Sequence, residues 1–599
     1  MDSFSKPFTL TLHYTDAAWQ AAGLSNESLL NLYYHDGAVW VPVLPCAGCS
    51  LDTTNNVIVA VLDHLTLFGV GDAVQTGPVL WANAYDSDDD GDCSNVHCTL
   101  VEAILLANAT PSITGITLTA DALYELEYTV DYTDGENGLP SITDTLTITG
   151  NGATVERSSS YSCPGVEEPE FRLFHVAADA FLTLNDMTVQ NGCVDGFDSL
   201  DMDGGAIFAH GGLALDNVAL QNNTAARHGG GLRSASNVII ENSQIVENEA
   251  ATRGGGLYVT EGLTVTNSLL MSNTAGTDGG GLFSNESTTI SGTTFIANES
   301  SGFGSGAYVI EPTWVENSHF VENVNASYGG GLMVEDALTV RNSVFQSNSA
   351  TFAGGGLYAG MALTVENTQF VGNESDEGGG AFAVDAATIE ESLFELNEAT
   401  SSGGGLYGSA AATMTNTTFL TNTAGIGGGA RVAGVTILRD SHLRDNIASG
   451  ALTGGGIYAE STLAIEDTEF IGNMAYGNAG GAFAGALATV SGSLFQLNYA
   501  DGSGGGLYAD SGAVITDTVF VSNTAESEGG GVYLNDPSSV VNSAFQANTG
   551  FDGGGLYADS SVAVTATTFL SNEATGGEGG GDGGGIWGLH RCDGRWRLF

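Results

Sequence analysis

An acidic run near the N-terminus carries the residues best suited to hold a metal ion. Its carboxylates are Asp86, Asp88, Asp90 and Asp92. Carboxylates at positions 1, 3 and 5 of a loop, with glycine at position 6, are typical of calcium loops. The twelfth position is His97 instead of glutamate, and no helix pattern precedes the run, which excludes an EF-hand. Two interpretations stand: a looser Ca²⁺ site, or an acidic turn that links two modules.

A second group of charged side chains gathers in one short stretch of the chain. Its members are Arg431, Arg439, Asp440, His442, Arg444 and Asp445. Polysaccharide lyases and glycosidases need carboxylates and cations together on one face, so an enzymatic site would lie here. The alternative is an irregular, exposed segment whose charges only face water.

The cysteines form local pairs in loop-like sequence. Cys46 and Cys49 are separated by two residues, and Cys93 and Cys98 by four. In an exported protein such pairs are expected to be disulfides, and Cys163 and Cys193 are a third candidate pair. A redox motif or half of a zinc site is the other interpretation of the first pair, although no second Cys-x-x-Cys accompanies it.

A repeat of about 25 residues organises most of the chain and must position these groups. Glycine runs such as Gly254–Gly256 and Gly354–Gly356 alternate with a motif of an apolar or aromatic residue, two variable residues and Asn. Fifteen copies place this Asn at Asn223, Asn248, Asn273, Asn298, Asn323, Asn348, Asn373, Asn397, Asn422, Asn446, Asn473, Asn498, Asn523, Asn548 and Asn572. A fixed period of this size indicates one stacked structural unit per repeat.

Each repeat contains short apolar runs of period two, separated by turn residues, and no stretch with a helical period. This pattern predicts an all-β protein in which every repeat is one coil of a parallel β-helix, bonded to the coils above and below. We expect the motif Phe rings, for example Phe345 and Phe370, to stack inside. We also expect the motif Asn residues to form a hydrogen-bonded ladder and to adopt the left-handed conformation at a turn.

An aromatic column follows each glycine run, one residue after an apolar column. The column consists of Tyr258, Phe283, Tyr308, Met333, Tyr358, Phe382, Tyr407, Arg431, Tyr458, Phe483, Tyr508, Tyr533, Tyr557 and Trp587. Strand alternation with buried Leu357, Leu406 and Leu507 points these rings outward. The six tyrosines Tyr258, Tyr358, Tyr407, Tyr458, Tyr508 and Tyr533 are therefore predicted to form a binding stripe for sugar rings or a partner surface. The alternative is cross-strand stacking that only stabilises the sheet.

The charge balance excludes one large class of function. Asp and Glu number 70 against 13 Lys and Arg, which gives a formal charge of −57. Such a chain cannot neutralise phosphates, so nucleic-acid binding is excluded. No apolar run is long enough for a transmembrane helix. The first residues lack the pattern of a signal peptide, and the tail after residue 588 breaks the repeat composition, so we expect a fragment of a longer exported protein.

The repeats also resemble a known family. Gly204–Ile207 and the recurring Phe-x-x-Asn motif are similar to the repeats of chlamydial-type polymorphic outer membrane proteins, over about residues 176–590. That resemblance implies a right-handed parallel β-helix at the cell surface or outer membrane, used in adhesion and export. It also implies that partners are a host or neighbouring cell surface, or a polysaccharide.

Two N-terminal segments resemble modules of bacterial surface proteins. Leu32–Trp40 and Asp63–Phe68 resemble a ZU5-like module that lacks its first half. Cys98–Ile104 and Thr145–Val155 resemble the CSLREA module that precedes β-helix repeats, with a short helix at Leu100–Asn108 that caps the coil. The predicted segments are a partial β-sandwich at 1–75, the CSLREA-like module and cap at 76–175, β-helix repeats at 176–588, and an atypical tail at 589–599.

The sequence thus predicts a non-enzymatic, exported surface protein that acts in adhesion or as a scaffold. It needs no cofactor beyond the Ca²⁺ considered for the acidic run. The alternative is an extracellular polysaccharide-degrading enzyme. The repeats differ in length by only two or three residues, whereas catalytic β-helices wall their clefts with long insertions, which favours the first prediction.

Overall fold

The protein is described here by a computed structural model. It describes residues 3–14, 30–35, 40–44, 46–64, 68–72, 75, 77–85, 93–95, 97–163, 169–195, 202–451, 453–576 and 583–588. The chain divides into two compact units. Unit 1 contains residues 1–226 and 230–244, and unit 2 contains residues 227–229 and 245–599.

Unit 1 begins with two small antiparallel sheets that share a core. One consists of Ser3–His13, Val57–His64 and Ser50–Asp52, and the other of Trp40–Pro42, Leu30–His35 and Phe68–Asp72. Leu32 of the second sheet packs with Val43 and with Ile58 and Ala60 of the first. The predicted sandwich-like fragment is therefore present.

Parallel strands follow in unit 1 and form its coils. They are Val79–Ala82, Gly115–Leu118, Leu123–Leu126, Thr145–Arg157, Phe174–Val176, Phe181–Gln190, Cys193–Val194, Ile207–Ala209, Gly212–Gln221, Thr224–Ala225, Leu232–Ser234 and Val238–Glu241. Parallel pairing begins where Val79 lies opposite Gly115. Segment 76–175 therefore contributes coil strands as well as a cap.

The predicted helix is present in unit 1 as α1, Leu100–Ala109. Thr99 caps its N-terminus, because the Thr99 hydroxyl accepts a bond from the Glu102 amide and the Glu102 carboxylate accepts one from the Thr99 amide. Helix α1 packs on Val79–Ala82 and Gly115–Leu118, the first coil strands. A helix packed on the first coil strands matches the cap predicted for this end of the solenoid.

Unit 2 is a stack of coils, each with three or four short strands. The A strands, which follow the glycine runs, are Leu257–Val259, Leu282–Ser284, Ala307–Val309, Leu332–Val334, Leu357–Ala359, Ala381–Ala383, Leu406–Gly408, Ala430–Val432, Ile457–Ala459, Ala482–Ala484, Leu507–Ala509, Val532–Leu534, Leu556–Ala558 and Ile586–Gly588. The B strands are Leu263–Thr266, Thr288–Ser291, Thr313–Glu316, Leu338–Arg341, Leu363–Glu366, Ala387–Glu390, Ala412–Thr415, Thr436–Arg439, Leu463–Glu466, Ala488–Ser491, Ala513–Thr516, Ser538–Val541 and Val562–Thr565.

The motif strands come next in each coil. These C strands are Gln244–Val246, Leu269–Met271, Thr294–Ile296, His319–Val321, Val344–Gln346, Gln369–Val371, Leu393–Glu395, Thr418–Leu420, His442–Arg444, Glu469–Ile471, Leu494–Gln496, Val519–Val521, Ala544–Gln546 and Thr568–Leu570. Short D strands close the coil at Glu249–Ala250, Thr274–Ala275, Glu299–Ser300, Ala326–Tyr328, Ala350–Ala353, Glu374–Glu377, Glu398–Ser402, Thr423–Ala424, Ile447–Ala448, Met474–Ala475, Tyr499–Ala500, Thr524–Ala525, Thr549–Gly550 and Glu573–Ala574. Equivalent strands pair in parallel, which confirms the predicted β-helix.

The glycine runs allow successive coils to approach closely. Gly354 adopts φ 67°, a conformation that glycine tolerates and other residues rarely take. A Cβ atom on Gly355 would collide with the carbonyl oxygens of Glu374 and Gly379 in the next coil. The runs are therefore required by backbone packing.

The motif asparagines form the predicted ladder in the interior. The Asn373 Oδ1 atom accepts bonds from the backbone amide and the Nδ2 atom of Asn348, both at 3.0 Å. Its Nδ2 atom donates to the carbonyl oxygen of Phe345 at 2.9 Å and to Asn397 Oδ1 at 3.0 Å. Asn373 is fully buried, and this pattern uses every hydrogen-bonding atom of its amide.

One detail of the ladder prediction is wrong. The left-handed conformation falls on the residue before each ladder Asn, for example Ser347 (φ 53°) and Gly372 (φ 61°). The Asn side chain must turn inward to reach the next coil, so the residue before it makes the turn. A further set of turn residues between B and C strands, such as Asn267 and Asn342, also adopts positive φ.

Two more ladders run beside the asparagines. Phe345 stacks on Phe320 at 4.8 Å and on Phe370 at 5.0 Å, with planes within 10°, as predicted. A buried hydroxyl ladder was not predicted: the Ser318 amide donates to Ser343 Oγ at 3.1 Å in the following coil. Short polar residues after a turn gave no separate signal in the sequence.

We expect Asn373→Ala to lower the free energy of unfolding by roughly 1–3 kcal/mol, because it leaves the buried Asn348 amide without its acceptor and takes one donor from the Phe345 carbonyl. Urea unfolding, with hydrogen exchange at the Asn348 amide, measures the effect. The matched control is Asn535→Ala, since Asn535 is exposed and makes one long side-chain bond to Asp510. Equal stability of the two variants would contradict the ladder.

Candidate binding surface

The aromatic column lies at the middle residue of each A strand. Its rings point away from the interior, because the flanking Leu357, Leu406 and Leu507 are fully buried. Tyr358 and Tyr407 are partly exposed. The orientation predicted from strand alternation is therefore present in the structure.

The rings form nearly parallel stacks. Tyr358 and Phe382 lie 5.1 Å apart with planes 4° from parallel, and Phe382 and Tyr407 lie 4.7 Å apart at 4°. A second run extends from Tyr458 through Phe483, Tyr508, Tyr533 and Tyr557 to Trp587, with centroid distances of 4.4–5.3 Å. Parallel pairing of the A strands sets this spacing.

The stripe is not uniformly accessible. Tyr258 is only 8% exposed and Phe283 is fully buried. Phe303 and Tyr328, which precede Gly304 and Gly329, pack against this end of the column. Tyr258 is therefore a poor binding residue, contrary to expectation, whereas Tyr358, Tyr407, Tyr458, Tyr508 and Tyr533 keep a partly exposed surface.

Carboxylates lie along the edge of the stripe. The Tyr533 hydroxyl donates to Asp559, and the Tyr308 hydroxyl donates to Glu335. Burial, followed by the Asp559 bond, raises the pKa of Tyr533 well above its ordinary value. The same two causes raise the pKa of Tyr557. The exposed ring edges are therefore bordered by hydrogen-bond acceptors.

Arg431 interrupts the aromatic column without leaving it. Its guanidinium lies over the Tyr407 ring at 5.0 Å. It donates to Glu460 Oε1 at 2.6 Å and to Ser402 Oγ at 2.7 Å. The arginine thus replaces a ring in the stack by a cation–π contact.

The other charged residues of that stretch form cross-coil ion pairs. Arg439 binds Glu466 at 3.1 Å, and both His442 and Arg444 bind Glu469, at 3.1 and 2.5 Å. Asp440 and Asp445 occupy turn positions with φ 48° and 54°. These contacts join neighbouring coils and favour the structural interpretation of the group.

The remaining predicted residues lie in unit 1. Asp86, Asp88, Asp90 and Asp92 fall outside the described residues, so the calcium loop stays a prediction. The cysteines are paired as Cys46–Cys49, Cys93–Cys98 and Cys163–Cys193. The three expected disulfides are therefore present.

One cluster escaped the sequence analysis. Asp134, His175 and His210 are far apart in the chain, yet their side chains converge in unit 1. Single histidines without a spaced motif give no usable signal. Only the stacking of two coils against a loop brings these residues together.

Comparison with known proteins supports the fold. The family model described as right handed beta helix region matches residues 204–374. No curated protein and no solved structure matches the chain. Together with the parallel coils, the family match supports a right-handed parallel β-helix. Among the described residues, no helix is long and apolar enough to cross a membrane.

We expect the stripe tyrosines to ionise late in an alkaline titration followed by phenolate absorbance. The pKa of Tyr533 and of Tyr557 in the folded protein lies above the unfolded value of about 10. Their contribution to stability is therefore complete below pH about 10 and is lost as pH rises through the folded pKa. In Asp559→Asn, the late absorbance phase should move to lower pH, because the carboxylate charge is gone.

The matched control is Asp536→Asn, an exposed carboxylate one coil earlier. Its titration curve should coincide with that of the unmodified protein. An unchanged late phase in Asp559→Asn would contradict the coupling between Asp559 and the two rings.

Proposed function

We propose that this chain is a non-enzymatic, exported surface protein that acts in adhesion or as a scaffold, and that its aromatic stripe docks on a polysaccharide or a neighbouring cell surface. The right-handed β-helix is consistent with a surface or scaffold protein and equally with a polysaccharide-acting protein. The choice between them rests on the chemistry of the stripe.

The observation that carries the proposal is a column of parallel rings, bordered by carboxylates, in which five tyrosines are partly exposed: Tyr358, Tyr407, Tyr458, Tyr508 and Tyr533. Tyr458, Phe483 and Tyr508 stack at 4.5 and 5.3 Å. The accessible edges of such rings offer apolar contact to the C–H groups of sugars, and Tyr hydroxyls and carboxylates offer partners to sugar hydroxyls. Because the rungs hold the rings in place before binding, little conformational entropy is lost on docking.

The finer assignments also support a surface location. The resemblance of the repeats to chlamydial-type polymorphic outer membrane proteins, and of the N-terminal segments to CSLREA-like and ZU5-like modules, implies a location outside the cell. Three disulfides in unit 1 suit an oxidising compartment. The calcium loop, if it binds its ion, would brace the N-terminal segment of the same exported protein.

The second candidate function is polysaccharide cleavage near Arg439 and Asp440. The clustering of carboxylates with cations favours it, because glycosidic bond cleavage needs an acid–base pair. Against it, Arg439, His442 and Arg444 are engaged by Glu466 and Glu469 of the next coil. Adhesion therefore remains the better supported proposal.

Retention on a panel of immobilised polysaccharides and on whole cells tests the stripe. We expect the triple variant Tyr358→Ser/Tyr407→Ser/Tyr508→Ser to lose at least about tenfold in affinity, because stacking aromatic residues dominate such interfaces. The matched control is Tyr476→Ser, since Tyr476 is 52% exposed and lies off the stripe. Equal retention of the two variants would contradict the proposal.

The same panel tests the alternative through release of reducing ends or unsaturated sugars. No turnover is expected. Turnover that disappears in Arg439→Ala or Asp440→Ala, but not in the stripe variant, would favour the enzyme.

A further inference from the structure

Three side chains in unit 1 direct metal-binding atoms at one another. His175 Nε2 lies 3.3 Å from Asp134 Oδ2, and His210 Nε2 lies 3.2 Å from the same oxygen. The ligand atoms of all three residues lie within 4.8 Å of one another. Of the described residues, they are the group whose His, Cys, Asp and Glu atoms converge closely enough to hold a metal ion.

The coils and one loop bring these residues together. His175 is the middle residue of the strand Phe174–Val176 and pairs in register with Phe208 of the next coil. His210 follows the strand Ile207–Ala209, so it lies beside His175, with ring centroids 5.9 Å apart. Asp134 belongs to the loop between Leu123–Leu126 and Thr145–Arg157.

Backbone contacts fix the loop that carries Asp134. Asp134 has φ 52°, a conformation that Asp tolerates better than most residues. The Arg172 Nη1 atom donates to the Asp134 carbonyl oxygen at 2.7 Å. The Arg172 guanidinium itself rests over the Phe208 ring at 5.0 Å. The carboxylate is therefore held over the two histidines by contacts that need no metal.

The distances match a tetrahedral zinc site. Zinc binds His nitrogen and Asp oxygen at about 2.0–2.2 Å, so the edges between ligand atoms of a tetrahedral site are about 3.3 Å long. The two N···O separations, 3.3 and 3.2 Å, have this length. Two imidazoles with one carboxylate are also a common protein ligand set for zinc when a fourth position is left to water.

The His175 ring is prepared to be a ligand. Its Nε2 atom is buried and makes no hydrogen bond, which is costly unless another partner takes the lone pair. Its Nδ1 atom lies 2.7 Å from Ser141 Oγ, and the Ser141 amide in turn donates to Asp131 Oδ2 at 2.9 Å. A histidine ligand is usually oriented in this way by a partner on its other nitrogen.

Burial is the largest cause that lowers the pKa of His175, to about 4, followed by the positive charge of Arg172. The charge of Arg172 opposes a cation here, but the carboxylates of Asp134 and Asp131 offset it.

Ser141, His175 and Asp134 are also arranged in the order of a Ser-His-Asp catalytic triad. Acyl-transfer chemistry would need the Ser141 hydroxyl to reach a substrate carbonyl. Ser141 is only 7% exposed, whereas Asp134 and His210 side chains are about one third exposed. The accessible side of the cluster is therefore the side of the carboxylate and His210, which suits an ion that enters from solvent.

We propose that Asp134, His175 and His210 bind one Zn²⁺ ion, with a fourth position open to water. Bound zinc cross-links the loop that carries Asp134 to two successive coils. It therefore stabilises unit 1 wherever the free ion exceeds its dissociation constant. The proposal is independent of the aromatic stripe and of the calcium loop.

Calorimetric titration of the full chain with ZnCl₂, after chelator treatment and in excess CaCl₂, tests the site. The excess Ca²⁺ saturates the acidic surface, so only a selective zinc site should respond. We expect one Zn²⁺ per chain and a zinc-dependent rise in the melting temperature of the unmodified protein. Co²⁺ in place of Zn²⁺ should give the intense visible bands of tetrahedral coordination.

Asp134→Asn and His210→Gln should each weaken binding at least about tenfold and abolish the rise in melting temperature. Both residues are partly exposed, and circular dichroism in chelator checks that the variants remain folded. The matched control is His319→Ala, an exposed histidine in unit 2, which should bind zinc as the unmodified protein does. Absence of stoichiometric uptake by the unmodified protein, or equal affinity in both cluster variants, would overturn the proposal.

Discussion

The buried asparagine ladder is the constraint on which the repeat depends. Burial of a side-chain amide such as that of Asn373 costs free energy unless the coils on either side supply its hydrogen-bond partners. A slip of one residue would turn the ladder outward and leave backbone groups unpaired. The ladder therefore fixes the period, and the period in turn aligns the glycine runs, the Phe stack and the outer columns.

The aromatic stripe follows from this alignment. With the inward residue of each A strand fixed, its neighbour must face outward at the same height in every coil. Rings at adjacent coils then stack at about the rung spacing, as Tyr508 and Tyr533 do at 4.5 Å. The same alignment of coils positions ion pairs, because Arg253, Arg341 and Arg439 each bind an acidic residue of the next coil. Stacking and ion pairing both stabilise neighbouring coils, so a binding role for the stripe comes in addition to a structural one.

Unit 1 departs from the repeat where its polar cluster lies. His175 occupies the strand position that aromatic residues take in unit 2, and a loop with Asp134 lies against it. The regular coils of unit 2 contain no equivalent of this buried imidazole, whose Nε2 atom makes no hydrogen bond, among the residues the structure describes. Departures from an otherwise consistent pattern are expected at functional sites, and this one coincides with converging metal ligands.

The sequence by itself determined the β-helix, its period, the inward Leu, Phe and Asn columns and the outward tyrosines. It did so because the same pattern of apolar, turn and Asn residues recurs in about fifteen copies. It also identified helix α1 and the three cysteine pairs. Only the tertiary structure decided the exposure of each ring, since Tyr258 lies between the stacked rings of His228 and Phe283 through packing between coils. Only it paired Arg439 with Glu466 and brought Asp134, His175 and His210 together. Contacts between residues distant in the chain depend on how coils and loops stack, and no local pattern encodes them.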